Sequence, residues 1–397
     1  MEFLFCFLLG VVLGVSAGLL PGVHVNNLIP CILLLVTSLG LSPLSGAAAL
    51  VSMAVVQTFT SYIPSTFLGV PDEGTALSIL PTHRMVLEGR GYLAVRLTTR
   101  GCLSGLLLGS LLALPLAPAF GGVYSLLRPA MGWILLSVVI LMVVSEGTPR
   151  RMAWGLLVFF LSGLLGLFTL DGGEEVLTPL LSGLFGMSVL LESLATRGRL
   201  PEQRGEEEDP SFSLSPLLSG VGAGIFTGFL PGIGPAEGTV LSQLVTRSRD
   251  TGDFLLSVSA VNMVKVLFSF VALHAIGRPR SGAAVAVGEL LEVGGGELLF
   301  LLGVALLAGA LSSLLTPALG RLFCSFLPRL PYRVLGAFTL LLILSLTLLL
   351  CGPSGLPLLL TATAIGLIPA RVGVRRSHAM GVILLPCTLY FLGLRSL

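Results

Sequence analysis

Long apolar segments with almost no charge follow one another along most of the chain, and they restrict its fold more than any other feature. A bilayer core about 30 Å thick needs close to 20 apolar residues per helix. Charged residues make up only 11 % of the 397 residues and the mean hydropathy is +1.00, so too little charge exists to cover a water-facing surface. The sequence therefore predicts an all-α polytopic membrane protein. Its predicted crossings lie at 44–63, 93–115, 130–145, 152–170, 177–194, 254–276, 298–319, 333–351, 355–370 and 378–394.

Two further apolar segments are interrupted near the middle by a Leu-Pro-Gly turn. The first segment covers 1–40 and breaks at 20–22, and the second covers 213–246 and breaks at 230–232. The limb after each break has about 13 residues, which is short for a crossing. We interpret each segment as a re-entrant hairpin, with a pair of full crossings as the alternative.

The two halves of the chain contain copies of one pattern. GVSAGLLPGVHV at 14–25 aligns with GIFTGFLPGIGP at 224–235, at an offset of 210 residues. An offset of 208 then aligns Ser61, Gly69, Pro71 and Gly74 with Ser269, Gly277, Pro279 and Gly282. The sequence therefore predicts a first repeat at 1–195, a linker at 196–212 and a second repeat at 213–397, each repeat holding one hairpin and five crossings.

The arginines predict how the repeats are oriented. When the loop at 371–376 is placed in the cytoplasm and the crossings are counted backwards, 17 of the 21 arginines fall on the cytoplasmic side, as the positive-inside rule requires. The exceptions are Arg128, Arg278, Arg280 and Arg395. Because each repeat has an odd number of crossings, the second copy is predicted to be inverted, and both termini to be extracytoplasmic. Many secondary transporters in cell membranes are built in this way.

Each predicted hairpin presents the start of a new helix at membrane depth. Its unpaired N–H groups and positive dipole end suit a carboxylate or a phosphate. We expect the residues near the two turns to bind such an anion, or to form a Na⁺ site. These residues are Gly22, His24, Asn26 and Asn27 in the first hairpin and Gly232, Gly234, Glu237 and Thr239 in the second. The alternatives are that the turns are only kinks, that the two asparagines cap a helix, and that the histidine is an interior one.

The only lysine of the chain, Lys265, lies at the centre of a predicted crossing. A cation in that place is costly unless it is paired or hydrated, so it is a candidate for function. It could neutralise an anionic substrate, pair with Glu237 as a structural ion pair, or carry a proton. Asn262 lies on the same helical face, and the repeat mate of the lysine is Gln57, also polar and mid-span. We expect these side chains to complete the substrate site.

Several classes of function are excluded or disfavoured by the sequence. It contains no HExxH, P-loop or GxSxG motif and no metal-ligand spacing, and its net charge of +2 gives no nucleic-acid footprint. We therefore expect no catalytic residues, no metal and no cofactor, and transport driven by a Na⁺ or H⁺ gradient. His83, Arg84, Glu88 and Arg90 are expected to form a solvated cytoplasmic face.

The motifs resemble those of a known family. GLLPGVH at 18–24, GFLPGIGP at 228–235 and LGVPDEGTALSILPTHRMVLEGRGYLAVR at 68–96 are similar to the hairpins and the GIPG-type segment of the large membrane subunit of tripartite tricarboxylate transporters, the TctA-type permeases. The resemblance implies an ion-coupled permease for carboxylates that works with a small membrane subunit and an extracytoplasmic binding protein. His24 and Asp72 stand where the family favours glycine, which indicates a divergent branch; an archaeal source is one interpretation.

The leading hypothesis is therefore a secondary transporter that moves a di- or tricarboxylate by alternating access. A translocase for polyprenyl-phosphate or another lipid phosphate is the alternative, because an amide-lined turn suits a phosphate equally well. An intramembrane enzyme that acts on lipid is a third possibility, against which stands only the absence of catalytic motifs.

Overall fold

The computed structural model is helical over nearly all the residues that it describes. No β-strand occurs in this described part, which confirms the predicted all-α class. The described residues are 1–20, 25–70, 74–172, 174–195, 201–203, 213–229, 234–246, 250–326 and 332–395.

The helices of the first half begin with the broken hairpin and end before the linker. They are α1 (Glu2–Leu19), α2 (Val25–Ser38), α3 (Pro43–Thr60), α4 (Tyr62–Leu68), α5 (Ile79–Leu87), α6 (Gly91–Leu127), α7 (Met131–Val144), α8 (Pro149–Thr169), α9 (Leu177–Leu181) and α10 (Ser188–Ala195), with a π-helix at Ser182–Met187 between the last two.

The helices of the second half follow in a similar order. They are α11 (Leu214–Phe229), α12 (Pro235–Thr246), α13 (Thr251–Ile276), α14 (Gly282–Leu290), α15 (Gly295–Phe326), α16 (Tyr332–Cys351), α17 (Gly355–Val372) and α18 (Gly381–Phe391). α1 ends at Leu19, just before the first Leu-Pro-Gly turn, and α2 begins at Val25. Residues 21–24 and 230–233 lie outside the described residues, so the two breaks stay predictions.

Seven helical stretches in the described part are long and apolar enough to cross a membrane. Two of them, Gly91–Val144 and Gly336–Val372, each contain two successive helices. This pattern indicates a multi-pass membrane protein. The count of ten crossings stays a prediction.

Local signals in the sequence set many helix ends. The side chains of Ser42, Thr148 and Asp250 accept hydrogen bonds from the first turn of α3, α8 and α13. Gly69 and Gly277, which the repeat aligns, follow α4 and α13 with φ of 67° and 60°. This left-handed conformation favours glycine and ends a helix.

The first helix of each hairpin packs against the long helix that follows the hairpin, α1 against α3 and α11 against α13. The contact is so close that a Cβ at Gly18 would lie 1.9 Å from Thr60 Oγ1, and one at Gly228 would lie 2.6 Å from Phe268 Cβ. Phe268 precedes the end of α13 by eight residues, about 12 Å at 1.5 Å per residue. The first limb of the second segment therefore ends beside the interior of α13 and not beside the end of that helix.

Contacts between the halves are reciprocal. α6 packs on α13 while its counterpart α15 packs on α3, and α2 contacts α14 while α12 contacts the turn at 76–78. Gly309 of α15 lies against Leu106 of α6, and Gly320 lies against Val95. Residue numbers rise along α15 as they fall along α6, so these matching helices run antiparallel.

One sequence-based expectation is wrong in this region. His83 is only 4 % exposed, whereas Arg84 and Glu88 on the same helix are exposed. The reason is the helical period of α5, which turns Ile79, His83 and Val86 towards α4 and α6. Burial lowers the pKa of His83 to about 4, so this side chain is neutral at pH 7.

Candidate functional site

The second hairpin and α13 bring three of the predicted site residues onto neighbouring helices. Thr239 is fully buried near the start of α12, and its hydroxyl donates to Pro235 O at 2.8 Å. Asn262 is 7 % exposed and Lys265 is half-buried on α13. The backbone of Lys265 touches Gly228, at the end of the first limb of the hairpin. The middle of α13 therefore lies against both limbs.

Asn262 also joins the two halves of the molecule. A Cβ at Gly74 would lie 2.3 Å from the Asn262 amide nitrogen, so the first half approaches α13 here at a position where only glycine fits. The matching Gly282 of the second half is covered in the same way by Asn26 of α2, whose Oδ1 would lie 2.2 Å from the added Cβ. Two aligned glycines thus each meet an asparagine of the other half.

The first half contributes a buried polar helix at the corresponding depth. Gln57 on α3 is 8 % exposed. The neighbouring hydroxyls are satisfied within the helix, because Thr58 Oγ1 donates to Ala54 O at 2.8 Å and Thr60 Oγ1 to Val56 O at 2.9 Å. Gln57 is thus a buried amide on this helix, and its role in binding a ligand stays a prediction.

Several predicted site residues cannot be located in detail. Gly234 precedes α12, and its carbonyl accepts from Gly238 N at 3.2 Å. The backbones of Asn27 and Glu237 are helical, but their side chains lie outside the described residues, as do Gly22, His24 and Gly232 entirely. The roles proposed for them stay predictions.

A cavity of about 890 Å³ lies beside α12, on the side where α13 begins. Thr239 of α12 and Asp250, which precedes α13, both line the cavity. The rest of the lining includes residues of the turn at 76–78, the end of α7 and the segment at 375–377. Phe185 of the π-helix forms part of its wall. Among the predicted site residues that the structure describes, Thr239 is the one found in this lining.

Hydrogen-bond donors dominate the polar part of the cavity. Arg376 is largely buried, its Nη1 donates to Ser188 Oγ at 2.8 Å and its Nη2 pairs with Glu192. The exposed Arg375 donates from Nη1 to Ser145 Oγ at 3.1 Å. Nε2 of Gln243 is buried without a partner among the described residues. Two guanidinium groups and a spare amide favour a carboxylate ligand.

A second buried pair lies directly behind Arg375. His378 Nε2 and Glu146 Oε1 are 2.9 Å apart, with side-chain exposures of 1 % and 5 %, and the backbone N–H of Arg375 donates to the same carboxylate oxygen at 2.9 Å. The clustered arginines were the signal for this region in the sequence. No local pattern links Glu192 to Arg376, 184 residues away, or Glu146 to Arg375, 229 residues away. Among the described residues, no cluster of three or more His, Cys, Asp or Glu is placed to hold a metal.

Long apolar helices and a cavity lined by two arginines are typical of a multi-pass membrane protein of the transporter class. The model of the tripartite tricarboxylate transporter TctA family matches residues 4–381, and the chain belongs to this family. The family is one of transporters, which confirms both the resemblance and the expectation that the chain is not an enzyme. Its members are the large subunit of a tripartite transporter.

The chain also resembles a protein of an archaeon along its whole length. It is 29 % identical over 401 residues to the uncharacterized protein MJ1079 of Methanocaldococcus jannaschii, and the match covers 97 % of this chain and 98 % of that protein. No solved structure matches the chain.

Proposed function

We propose that the chain is a permease that carries a di- or tricarboxylate across the cell membrane by alternating access, driven by a Na⁺ or H⁺ gradient. The observation that carries the proposal is the cavity of about 890 Å³ that runs along α12 and is lined by Arg375, Arg376 and Gln243. Its size lies within the ordinary range of ligand pockets, ~300–1,000 Å³. Planar guanidinium groups bind carboxylates with two parallel hydrogen bonds.

The direction of matching helices supports the inverted repeat on which alternating access depends. Copies related by an axis along the membrane normal would have matching helices that run the same way. α6 and α15 hold corresponding places in the two halves and run antiparallel. This favours an axis in the membrane plane. The end of α11 beside the interior of α13 likewise favours re-entrant hairpins over pairs of full crossings.

Contacts between charged segments support the proposed orientation. Gln203 of the linker accepts from Gly91 N at 3.0 Å, and both are predicted to be cytoplasmic. Arg395 near the carboxyl terminus pairs with Asp171 at 2.7 Å, and both are predicted to be extracytoplasmic. The proposed cytoplasmic side is also the side on which the cavity lies. By its family we further propose that the permease works with a small membrane subunit and an extracytoplasmic binding protein.

Uptake of radiolabelled citrate and succinate into proteoliposomes tests the proposal. Imposed Na⁺ and H⁺ gradients are compared, with the chain alone and with both partner subunits. We expect gradient-dependent uptake that Arg376→Gln reduces at least about tenfold. Arg371→Gln is the matched control, because this exposed arginine in the last turn of α17 is not in the cavity lining. It should change uptake less than about twofold.

Lipid cargo is the outcome that would overturn the proposal. Exposed apolar side chains, Leu141, Val144 and Val245, line part of the cavity, so the same proteoliposomes are assayed for flipping of a fluorescent polyprenyl phosphate. Flipping without uptake of any soluble carboxylate would replace the carboxylate assignment by the lipid-phosphate one. The family match gives no support to that alternative.

A further inference from the structure

Arg280, in the half-buried connection between α13 and α14, has two guanidinium nitrogens that the described residues do not satisfy. Its Nε and Nη2 atoms are buried and have no hydrogen-bond partner among the described residues. Buried guanidinium groups are costly unless their donors are paired, and nearly all buried polar groups in proteins have partners. Two unpaired guanidinium nitrogens inside a transporter therefore point to an anion that the protein binds.

This arginine lies deeper than its place in the sequence suggests. The hydroxyls of Ser281 and Ser269 are 2.8 Å apart, and Ser281 also caps α14 by accepting from Ala284 N at 3.3 Å. Ser269 precedes the end of α13 by seven residues, about 10 Å along the helix. The connection thus folds back into the protein, and Arg280 lies at the level of Ser269. Lys265 is four residues earlier on the same face of α13.

Arg280 is also next to both hairpins. Its guanidinium carbon lies 5.2 Å from the centre of the Tyr124 ring, and that ring lies 5.6 Å from the ring of Phe229, the last residue of α11. Two residues after Arg280, Gly282 touches the amide of Asn26 on the other hairpin. Arg280 is therefore one aromatic ring away from the end of α11 and two residues away from the contact with α2.

We propose that Arg280 binds one carboxylate of the substrate, in a site between the two hairpins where Lys265 binds another. The inference rests on the proposed function, and it defines the substrate class as anions with at least two carboxylates. It also explains why Arg280 is an exception to the positive-inside count: a residue that binds substrate inside the protein is not subject to a rule about loop charges. Tyr124 holds the guanidinium by a hydrogen bond and a cation–π contact, and Nε and Nη2 remain for the ligand.

Anion-induced stabilisation of the detergent-solubilised protein tests the proposal without requiring transport. The probes are citrate, succinate, lactate and sulfate. We expect citrate and succinate to raise the Tm of the wild type, lactate to do so much less, and Arg280→Gln to weaken citrate binding at least about tenfold. Arg278→Gln, two residues away and exposed, should change it less than about twofold. Arg280→Lys, which keeps the charge, should lie between wild type and Arg280→Gln.

Each other outcome contradicts the proposal. If Arg280→Gln binds citrate as the wild type does, the guanidinium only packs on Tyr124. If Arg280→Gln does not fold, the citrate affinities of Arg280→Lys and Arg278→Gln are compared instead. Equal affinities in these two variants would show that the guanidinium of Arg280 does not bind citrate, and would overturn the assignment. If sulfate alone stabilises the wild type and Arg280→Gln removes that effect, the anion site stands but the carboxylate function fails. If no anion stabilises the wild type, the Arg280 site itself is refuted.

Discussion

The hairpin and long helix of the first half and those of the second half share a packing scheme but differ in charge. Gly18 and Gly228 hold matching places and press each hairpin onto its long helix in the same way. At matching depth, however, α3 carries Gln57 where α13 carries Lys265. The scaffold is thus repeated, while the cation is not. If the proposed anion site is correct, the packing is common to both halves and the charge that binds the anion is particular to one of them.

The cavity and the Arg280 region differ in a second respect. Arg375 and Arg376 border a cavity beside α12 and have partners in Ser145, Ser188 and Glu192. Arg280 lies over the ring of Tyr124, which itself packs against Phe229, and two nitrogens of Arg280 have no partner among the described residues. If both regions contact the substrate, the cavity would be the open side of the transporter, and the aromatic side chains around Tyr124 would close the other side.

The largest effect is expected from removing the charge difference between the halves. Lys265→Gln makes α13 resemble α3 at this position, and it should lower kcat/KM for citrate uptake about a hundredfold, because a buried anion loses its counter-charge. Gln57→Ala should lower it only about threefold to tenfold, since a neutral amide contributes a single hydrogen bond. Initial uptake rates over a range of citrate concentrations measure both. Equal losses would mean that the charge of Lys265 is not what the substrate uses.

The next effect tests whether the shared packing is as essential as the glycines indicate. Gly228→Val should lower the Tm by several degrees and reduce the yield of folded protein, because a side chain there overlaps Phe268. Gly222→Val, on the same helix but with nothing within 4 Å of the added atom, is the matched control and should change the Tm little. Thermal unfolding in detergent, followed by fluorescence-detected size exclusion, compares the two. An unchanged Tm for Gly228→Val would mean that the aligned glycine is not needed for the packing of α11 on α13.

A smaller effect is expected from the ion pair in the cavity. Glu192→Gln removes the carboxylate that pairs with Arg376, so it should strengthen citrate binding about threefold at low salt, an effect that 0.5 M NaCl suppresses. Isothermal titration at both salt concentrations checks this. Weaker binding in the variant would indicate that Glu192 positions Arg376 and does not compete with the ligand.

The smallest effect concerns His83 and the dependence of stability on pH. Its pKa is about 4 in the folded protein and 6.5 in an unfolded chain, so the unfolded state binds the extra proton first as pH falls. The stability linked to neutral His83 is present above pH 6.5 and is lost between pH 6.5 and 4, at up to about 1.4 kcal/mol per pH unit. His83→Gln should flatten this part of the Tm–pH curve. An unchanged slope would mean that His83 is not buried.

The amino-acid sequence by itself determined the membrane class, the all-α architecture and the family, and it predicts the two breaks. These properties depend on local composition and period: an apolar stretch of sufficient length forms a helix wherever it lies, and Leu-Pro-Gly interrupts it. The motifs at 18–24 and 228–235 carried the family resemblance for the same reason.

Only the tertiary structure decided which side chains meet. The guanidinium of Arg376 forms an ion pair with Glu192, and the backbone N–H of Arg375 donates to the carboxylate of Glu146. Each contact joins residues far apart in the sequence, and no local pattern encodes it. The sequence predicts that the connection with Arg280 is an extracytoplasmic loop. The hydrogen bond between Ser269 and Ser281, however, holds it beside the interior of α13. Hydrophobicity determines that a segment is buried, whereas the close packing of glycine faces between distant helices determines its neighbours and therefore the site.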